Sequence, residues 1–328
     1  MKYQSKLNLI DTELAIKFIK DLFEKELADA LHLIRVSAPL FVVKESGLND
    51  NLNGVEEPVH FQIEGIDGNI EIVHSLAKWK REALARYQIT SHKGIYTDMN
   101  AIRKDEKLDA IHSIYVDQWD YEAVIDRKER NLDTLFEVVK IIFETMKRVE
   151  EKVNSKYPVF EKKLPDEIHF ISTSELENRY PNLTRKEREH MISKEYKAVF
   201  LYQIGWDLKD GKPHDGRAPD YDDWNLNGDI IVYNKLLDIP FELSSMGIRV
   251  DEKSLLAQVN KRNKQELLET PYAKELLEGK LPYTIGGGIG QSRLCMFYLE
   301  KAHIGEVQAS IWKKEQLEYA KENGIELL

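Results

Sequence analysis

The sequence predicts one continuous α/β domain over residues 1–328, a sheet with helices packed against it. Two long stretches, 11–31 and 131–153, repeat apolar residues at helical spacing with charges on the other side. Short runs of β-forming residues alternate with these and shorter helical stretches, and two of the joints between runs read as hairpins. No internal repeat or low-complexity linker divides the chain.

At 42% hydrophobic and 32% charged residues, the chain has the makeup of a soluble globular protein, and its 328 residues are ample to bury a core. Lys plus Arg number 47 against 57 Asp plus Glu, a net charge of -10. That balance speaks against a broad nucleic-acid surface, which relies on accumulated basic charge. The first residues lack the apolar segment of a signal peptide, and no apolar run nears the roughly 18 residues of a membrane helix. The single cysteine, Cys295, can form neither an internal disulfide nor a cysteine-based metal cage. A cytoplasmic location and no membrane partner are therefore expected.

In chain order, the first helix is predicted over 11–31, with Asp11 as its cap. The β-rich run 34–43 that follows is interrupted by Pro39, which cannot donate a ladder hydrogen bond and belongs on an edge or at a bulge. An edge beside a long helix is a candidate dimer surface. Residues 45–54 form a polar, turn-rich loop, and composition reads Asp50 as a turn residue, with catalysis as the alternative. Short strands are predicted at 59–63 and 69–73. Ser75 then caps a helix whose start carries His74, Lys78, Lys80 and Arg81, either a solvated basic face or an anion site. Strands at 94–102 and 111–120 are joined by a charged loop that Arg103 opens, as a surface residue or within reach of a phosphate beside the sheet. In the second of these strands, the period of two sets Gln118 and Asp120 on one face with Ile114 and Val116.

After the second long helix come a strand at 167–171, helices at 174–180 and 184–194, and a buried strand at 198–204. An acidic cluster follows: Arg217-Ala218-Pro219-Asp220-Tyr221-Asp222-Asp223-Trp224. Asp229 begins one strand and Glu242 lies on the next, so a hairpin would aim both carboxylates at one point, as nucleotide-bound magnesium asks; solvated turns are the plainer reading. Arg249, placed after Gly247, is a candidate fork for a substrate carboxylate. Late in the chain, Gly286-Gly287-Gly288-Ile289-Gly290-Gln291-Ser292-Arg293 opens an apolar helical run, 294–299. Four glycines read as a turn whose bare backbone can meet an anion, or as a flexible loop capping a core helix. Arg293, one turn into the helix, can stack on an aromatic ring and still reach a phosphate.

Together these stretches resemble the catalytic core of class II aminoacyl-tRNA synthetases. The long helix with the Pro39 strand is similar to that family's first motif, Arg103 with His112-Ser113-Ile114-Tyr115 to its second, and residues 286–293 to its third. The resemblance implies a mostly antiparallel mixed sheet flanked by helices, and a homodimer. The stretch from Asp229 through Glu242 to Gly247 and Arg249 is similar to the aspartyl and asparaginyl enzymes, as is His303-Ile304-Gly305-Glu306-Val307-Gln308-Ala309. Those enzymes carry a separate anticodon-binding domain, for which no room is expected here.

Over nearly its whole length the chain resembles the ammonia-dependent asparagine synthetases. The stretches that carry this are Asp50-Asn51-Leu52-Asn53-Gly54, Val73-His74-Ser75-Leu76-Ala77-Lys78-Trp79-Lys80-Arg81, Tyr115-Val116-Asp117-Gln118-Trp119-Asp120, and residues 217–224 and 242–249. The resemblance implies ATP-dependent amidation of L-aspartate by ammonia through a β-aspartyl adenylate, releasing AMP and pyrophosphate. It also implies site residues. Asp50, Lys80, Gln118, Asp120, Ser245 and Arg249 would line the aspartate pocket, with Arg103 and Gln118 serving catalysis. Ammonium has no lone pair, so a site carboxylate must bind it and take a proton before attack; Asp50, on its polar loop, is the first choice for this catalytic role and Asp120 the alternative. Arg103, Arg217, Asp222, Gly288 and Arg293 would hold ATP, and Asp229 and Glu242 its Mg2+. Strict alternation puts Tyr115 opposite Gln118, so only a β-bulge would bring it to the adenine. Residue 2 is Lys and the only cysteine is Cys295, so no amino-terminal cysteine is available to release ammonia from glutamine, and free ammonia is the expected donor.

Overall fold

In the computed structural model, which describes residues 3–50, 52 and 56–328, the first helix, α1 (Leu9–Leu31), buries Ala15, Ile16, Ile19, Phe23 and Leu27 along the expected stripe. Its cap is Asn8 rather than Asp11. The Asn8 side chain accepts the Asp11 N–H, and its amide donates back to the Asp11 carboxylate at 2.8 Å. The turn read at Asn51, Asn53 and Gly54 lies outside the described residues.

Pro39 separates two strands that join different sheets: β1 (Leu33–Arg35) and β2 (Phe41–Val43). With β3 (His60–Phe61) and β4 (Ile70–Ile72), β2 makes a small sheet ordered β2-β4-β3. Helix α2 (Ala77–Arg86) precedes the hairpin of β5 (Gly94–Ile102) and β6 (Tyr115–Val124), whose second strand starts later than expected, residues 111–114 being loop. Ser75 accepts the Ala77 N–H from just before the helix, while Leu76 holds the cap position. Next come α3 (Leu132–Lys156), β7 (His169–Ser172), α4 (Thr173–Arg179), α5 (Arg185–Tyr196) and β8 (Ala198–Tyr202). The second hairpin is β9 (Asp222–Asn234) with β10 (Ile239–Arg249), so Asp229 stands in mid-strand rather than at a strand start. Two helices that the sequence pattern does not single out, α6 (Glu252–Arg262) and α7 (Pro271–Leu277), lead to β11 (Thr284–Gly290), α8 (Gln291–Tyr298) and α9 (Lys314–Asn323).

The eight-stranded sheet runs β1-β5-β6-β11-β10-β9-β8-β7; only its outermost pairs, β1 with β5 and β7 with β8, are parallel. Alternation along β6 gives its two faces different tasks. Trp119 and Tyr121 are buried in the main core beneath α1, α3 and α8, with the Trp119 ring 4.6 Å from that of Phe23. Gln118, Asp120 and Glu122 point to the opposite face, where α2 packs.

The glycine stretch is a strand at the centre of this sheet rather than a turn. β11 pairs without a break with β6 (Gly286↔Glu122, Gly288↔Asp120, Gly290↔Gln118) and on its other side with β10. The reason for glycine is room. A Cβ on Gly286 would fall 2.0 Å from Glu122 Oε2, one on Gly288 would fall 2.3 Å from Gln118 Oε1, and one on Gly287 would fall 2.5 Å from Met246 Cβ. Gly286→Ala is therefore expected to cost roughly 3 kcal/mol or more, since it overpacks a central strand and displaces a buried carboxylate from its partners. Denaturant unfolding with a midpoint at the wild-type value would refute this account.

Candidate active site

Behind the site face lies a network of buried charges. From α2, Lys80 Nζ donates to Asp120 Oδ1 (2.7 Å) and to the carbonyls of Tyr121 (2.9 Å) and Gly287 (3.2 Å). It also sits 3.7 Å from Glu122 Oε2. Arg249, at the end of β10, donates through Nε (2.9 Å) and Nη2 (2.7 Å) to Glu122 and through Nη1 to Asp222. That leaves one N–H on each terminal nitrogen for a ligand. Glu122 is fully buried and Arg249 is 2% exposed. Burial would raise the Glu122 carboxyl, but Arg249 and Lys80 overcome it and hold the group below its usual range. At Asp222 burial wins and the carboxyl is raised, because a single guanidinium N–H serves it and Glu122 adds negative charge.

The helix start predicted as a possible solvated basic face is nothing of the kind. Lys78 pairs with Asp220 at 2.7 Å, and Arg81 donates to the carbonyls of Pro282 (2.8 Å) and Val250 (2.7 Å), all out of solvent. These cations are anchors that lock α2 onto the sheet.

The other end of the site gathers the remaining arginines. Arg103 follows β5 directly, its N–H bonded to the Ile114 carbonyl at 2.8 Å, and its buried Nε has no partner among the described residues. Arg293 stands on α8, 5.8 Å from the Phe241 ring, and donates to the Glu242 carbonyl at 3.1 Å. Arg217 bridges Asp215 (3.1 Å) and Asp229 (2.5 Å). Asp229 lies opposite Ser245, and Glu242 lies opposite Ile231, two residues further along β9; a bulge at Leu243 keeps Glu242 and Ser245 on this same face. Burial, reinforced by Glu242 and Asp215 against Arg217, pushes the Asp229 carboxyl up to about 7, and its Oδ1 has no partner among the described residues.

A cavity of about 390 Å³ unites the two ends and is lined by Arg103, Gln118, Asp120, Arg217, Asp222, Glu242, Ser245, Arg249, Gly288 and Arg293. A neighbouring cavity of about 650 Å³ shares Glu242 and Arg293 and adds Asp229. Lys80 and Asp50 are not on the wall: Lys80 acts from behind through Asp120, and Asp50 is buried beside the wall residues Leu52 and Ser75. Asp50 Oδ1 accepts the Leu52 N–H at 2.8 Å, which is turn geometry, yet its Oδ2 is buried and unpartnered among the described residues. Strand β6 has no bulge, so Tyr115 alternates away from Gln118, its hydroxyl bonded to Asn100 at 2.7 Å, yet at the start of the strand it still borders the same cavity.

Two residues escape the sequence reading. Glu122 continues the alternation from Gln118 and Asp120, and that period was the signal available for it. Asp117, on the other face, accepts from the Ser292 N–H (3.0 Å), the Ser292 hydroxyl (2.8 Å) and Lys20 of α1 (2.8 Å). It thereby pins the start of α8 one residue before Arg293. Cys295 is buried in α8, and burial pushes its thiol up to about 12, so it is a core residue and no nucleophile.

Sheet order, flanking helices and the cluster of arginines and carboxylates on one face place the chain in the class II aminoacyl-tRNA synthetase fold. It superposes on asparaginyl-tRNA synthetase from Pyrococcus horikoshii, solved with asparaginyl-adenylate, with a TM-score of 0.67 at 15% identity, covering 92% of this chain and 70% of that one. The asparaginyl-tRNA synthetase of Entamoeba histolytica, also with asparaginyl-adenylate, gives a TM-score of 0.63 at 13% identity over 92% and 66% of the two chains. Within that class, the chain belongs to the aspartate-ammonia ligase family, whose model matches residues 10–324. It is 60% identical over 327 residues to the aspartate-ammonia ligase of Clostridium perfringens strain SM101, covering 99% of this chain and 97% of that protein. It is 59% identical over 328 residues, all of both chains, to that of Fusobacterium nucleatum.

Proposed function

We propose that this enzyme makes L-asparagine from L-aspartate and ammonia at the expense of ATP, through a β-aspartyl adenylate. The observation that carries the site assignment is the cavity itself, with a forked arginine among buried carboxylates at one end and three arginines with two convergent carboxylates at the other. At the first end, the free N–H groups of Arg249 take the α-carboxylate of aspartate, and the unpartnered Oδ2 of Asp120 accepts from its α-ammonium. Lys80, Glu122 and Asp222 keep both groups in place.

The aspartate side-chain carboxylate attacks the α-phosphorus of ATP, and the bond to pyrophosphate breaks. Arg103, with its unpartnered Nε, meets the charge that builds on the α-phosphate, while Gln118 orients the reacting carboxyl and Ser245 borders the pocket. Arg217, Asp222, Gly288 and Arg293 border the nucleotide. Asp229 and Glu242 fit magnesium, because they converge on one face and Asp229 Oδ1 lacks a partner among the described residues. The ion would neutralise phosphate charge. Ammonia then attacks the activated carbonyl, a C–N bond forms, and the C–O bond to AMP breaks.

The reading extends to the assembly and its location. Ile10, Leu14 and Ile34 are large apolar side chains 67%, 59% and 54% exposed on α1 and β1, which supports a homodimer through that face. A single catalytic domain in the cytoplasm completes the proposal; among the described residues no helix is long and apolar enough to cross a membrane. The decisive experiment is direct. Aspartate, ATP and ammonium should yield asparagine and AMP in equal amounts, and formation of ADP or failure to make asparagine would sink the reading.

Arg249 offers a test of the substrate end. Arg249→Ala would strand Glu122 and Asp222 in the interior at a cost of roughly 3–5 kcal/mol, confusing binding with folding. Arg249→Lys keeps a cation but not the fork. It is expected to raise the aspartate requirement on the order of tenfold or more and the ATP requirement far less. Initial rates in each substrate decide, and equal rises would assign Arg249 a structural role only.

A further inference from the structure

We infer that His74 holds the attacking ammonia, its Nε2 accepting an N–H from the nitrogen beside the Asp50 carboxylate. The inference rests on the function proposed above and adds a residue to its second half. His74 is 1% exposed, and its Nδ1 lies 3.2 Å from the Asp50 carbonyl oxygen. A carbonyl has no proton to give, so Nδ1 carries the hydrogen. In a neutral ring that leaves Nε2 as a bare acceptor. Nε2 is buried and has no partner among the described residues, and the same holds for Asp50 Oδ2. Leaving such acceptors unserved is costly, which marks a place for a donor.

The surroundings suit a small cation with several N–H groups. Burial first, then the positive charge of Arg103, keeps the ring neutral against the pull of Asp50 and Glu56, so the imidazole does not repel ammonium. Asn49 holds the backbone at His74: its Oδ1 accepts the His74 backbone N–H at 2.8 Å, and its amide donates to Glu71 at 3.1 Å. Leu52 and Ser75, two residues after Asp50 and one after His74 in the chain, line the same cavity as Arg103, so the residues carrying the two acceptors adjoin its wall.

The chemistry balances with these two groups. Ammonium gives one proton to the Asp50 carboxylate and becomes ammonia with a free lone pair. Nε2 accepts one of the three remaining N–H bonds, which orients the lone pair away from the ring and toward the adenylate carbonyl. As the C–N bond forms and the C–O bond to AMP breaks, nitrogen sheds its surplus proton to Nε2, and Nε2 and Asp50 each return one proton to solvent with product release.

Two variants separate this role from a structural one. His74→Asn keeps a donor where Nδ1 stood, and so the bond to the Asp50 carbonyl, but has no acceptor at the Nε2 position. His74→Gln restores a polar group there. Aspartate-dependent exchange of pyrophosphate into ATP reports the first half-reaction, and asparagine formed against ammonium concentration reports the second. His74→Asn should raise the ammonium requirement about tenfold or more with exchange unchanged, as loss of a buried hydrogen bond demands, and His74→Gln should recover part of it. An unchanged ammonium requirement in His74→Asn overturns the inference, as does a parallel fall of exchange and amidation in both variants. A wild-type enzyme that exchanges pyrophosphate yet makes no asparagine from ammonium would overturn the proposed function and this inference with it.

Discussion

Arg293→Lys is expected to fold normally and to lose aspartate-dependent pyrophosphate exchange by about 100-fold or more. The position tolerates the change structurally, because Arg293 is partly exposed, with a side chain 24% accessible, and its protein contacts are a carbonyl hydrogen bond, a ring at 5.8 Å and a long ion pair with the Glu242 carboxylate at 3.9 Å that Lys can keep. What Lys cannot reproduce is the planar fork, which can lie against a purine and still present N–H groups to phosphate oxygens. Removing one fixed donor of this kind from a reacting centre costs on the order of 100- to 1000-fold. Exchange within threefold of wild type, with an unchanged unfolding midpoint, would remove Arg293 from the nucleotide site.

Asp50→Asn should divide the reaction in two. Asn keeps an oxygen for the Leu52 N–H and nearly the same volume, so the turn survives. It offers no negative charge for ammonium and no base for its proton. Loss of a general base costs roughly 100- to 10000-fold, and the whole loss should fall on asparagine formation while pyrophosphate release continues. Hydroxylamine, which is largely unprotonated at neutral pH, should be hurt much less than ammonium as the nucleophile. A variant that makes asparagine at the normal rate would take Asp50 out of the mechanism.

The fold was legible wherever local periodicity reports tertiary environment. The stripe from Ala15 to Leu27 is buried as read, and the alternation Gln118, Asp120 marks the functional face of β6. Local pattern misleads where a distant segment supplies the environment. Lys78, Lys80 and Arg81 look like a solvated basic run because their partners, Asp220, Asp120 and the Val250 and Pro282 carbonyls, arrive from remote strands and loops. The glycines look like a turn because nothing local reveals that Glu122 and Gln118 need the space above them. Glu122 itself follows from the period of two, but its partner Arg249 lies 127 residues away in the chain. Most candidate site residues follow from family resemblance, and the structure assembles ten of them on one cavity wall.

The insertion of β11 between β6 and β10 bears on how the protein is made on the ribosome. Until residues 284–290 emerge, the nascent chain holds two unfinished half-sheets, β1-β5-β6 and β10-β9-β8-β7, each ending in an open edge where β11 belongs. Such edges are templates for pairing with other chains. The strand that closes them is also poor in intrinsic β-propensity, since four of its seven residues are glycine, so closure depends on the waiting neighbours rather than on the segment itself. Translation arrested before Thr284 should therefore release a product that aggregates rather than a smaller folded protein, and the enzyme should acquire its catalytic surface in the same late step that makes it soluble.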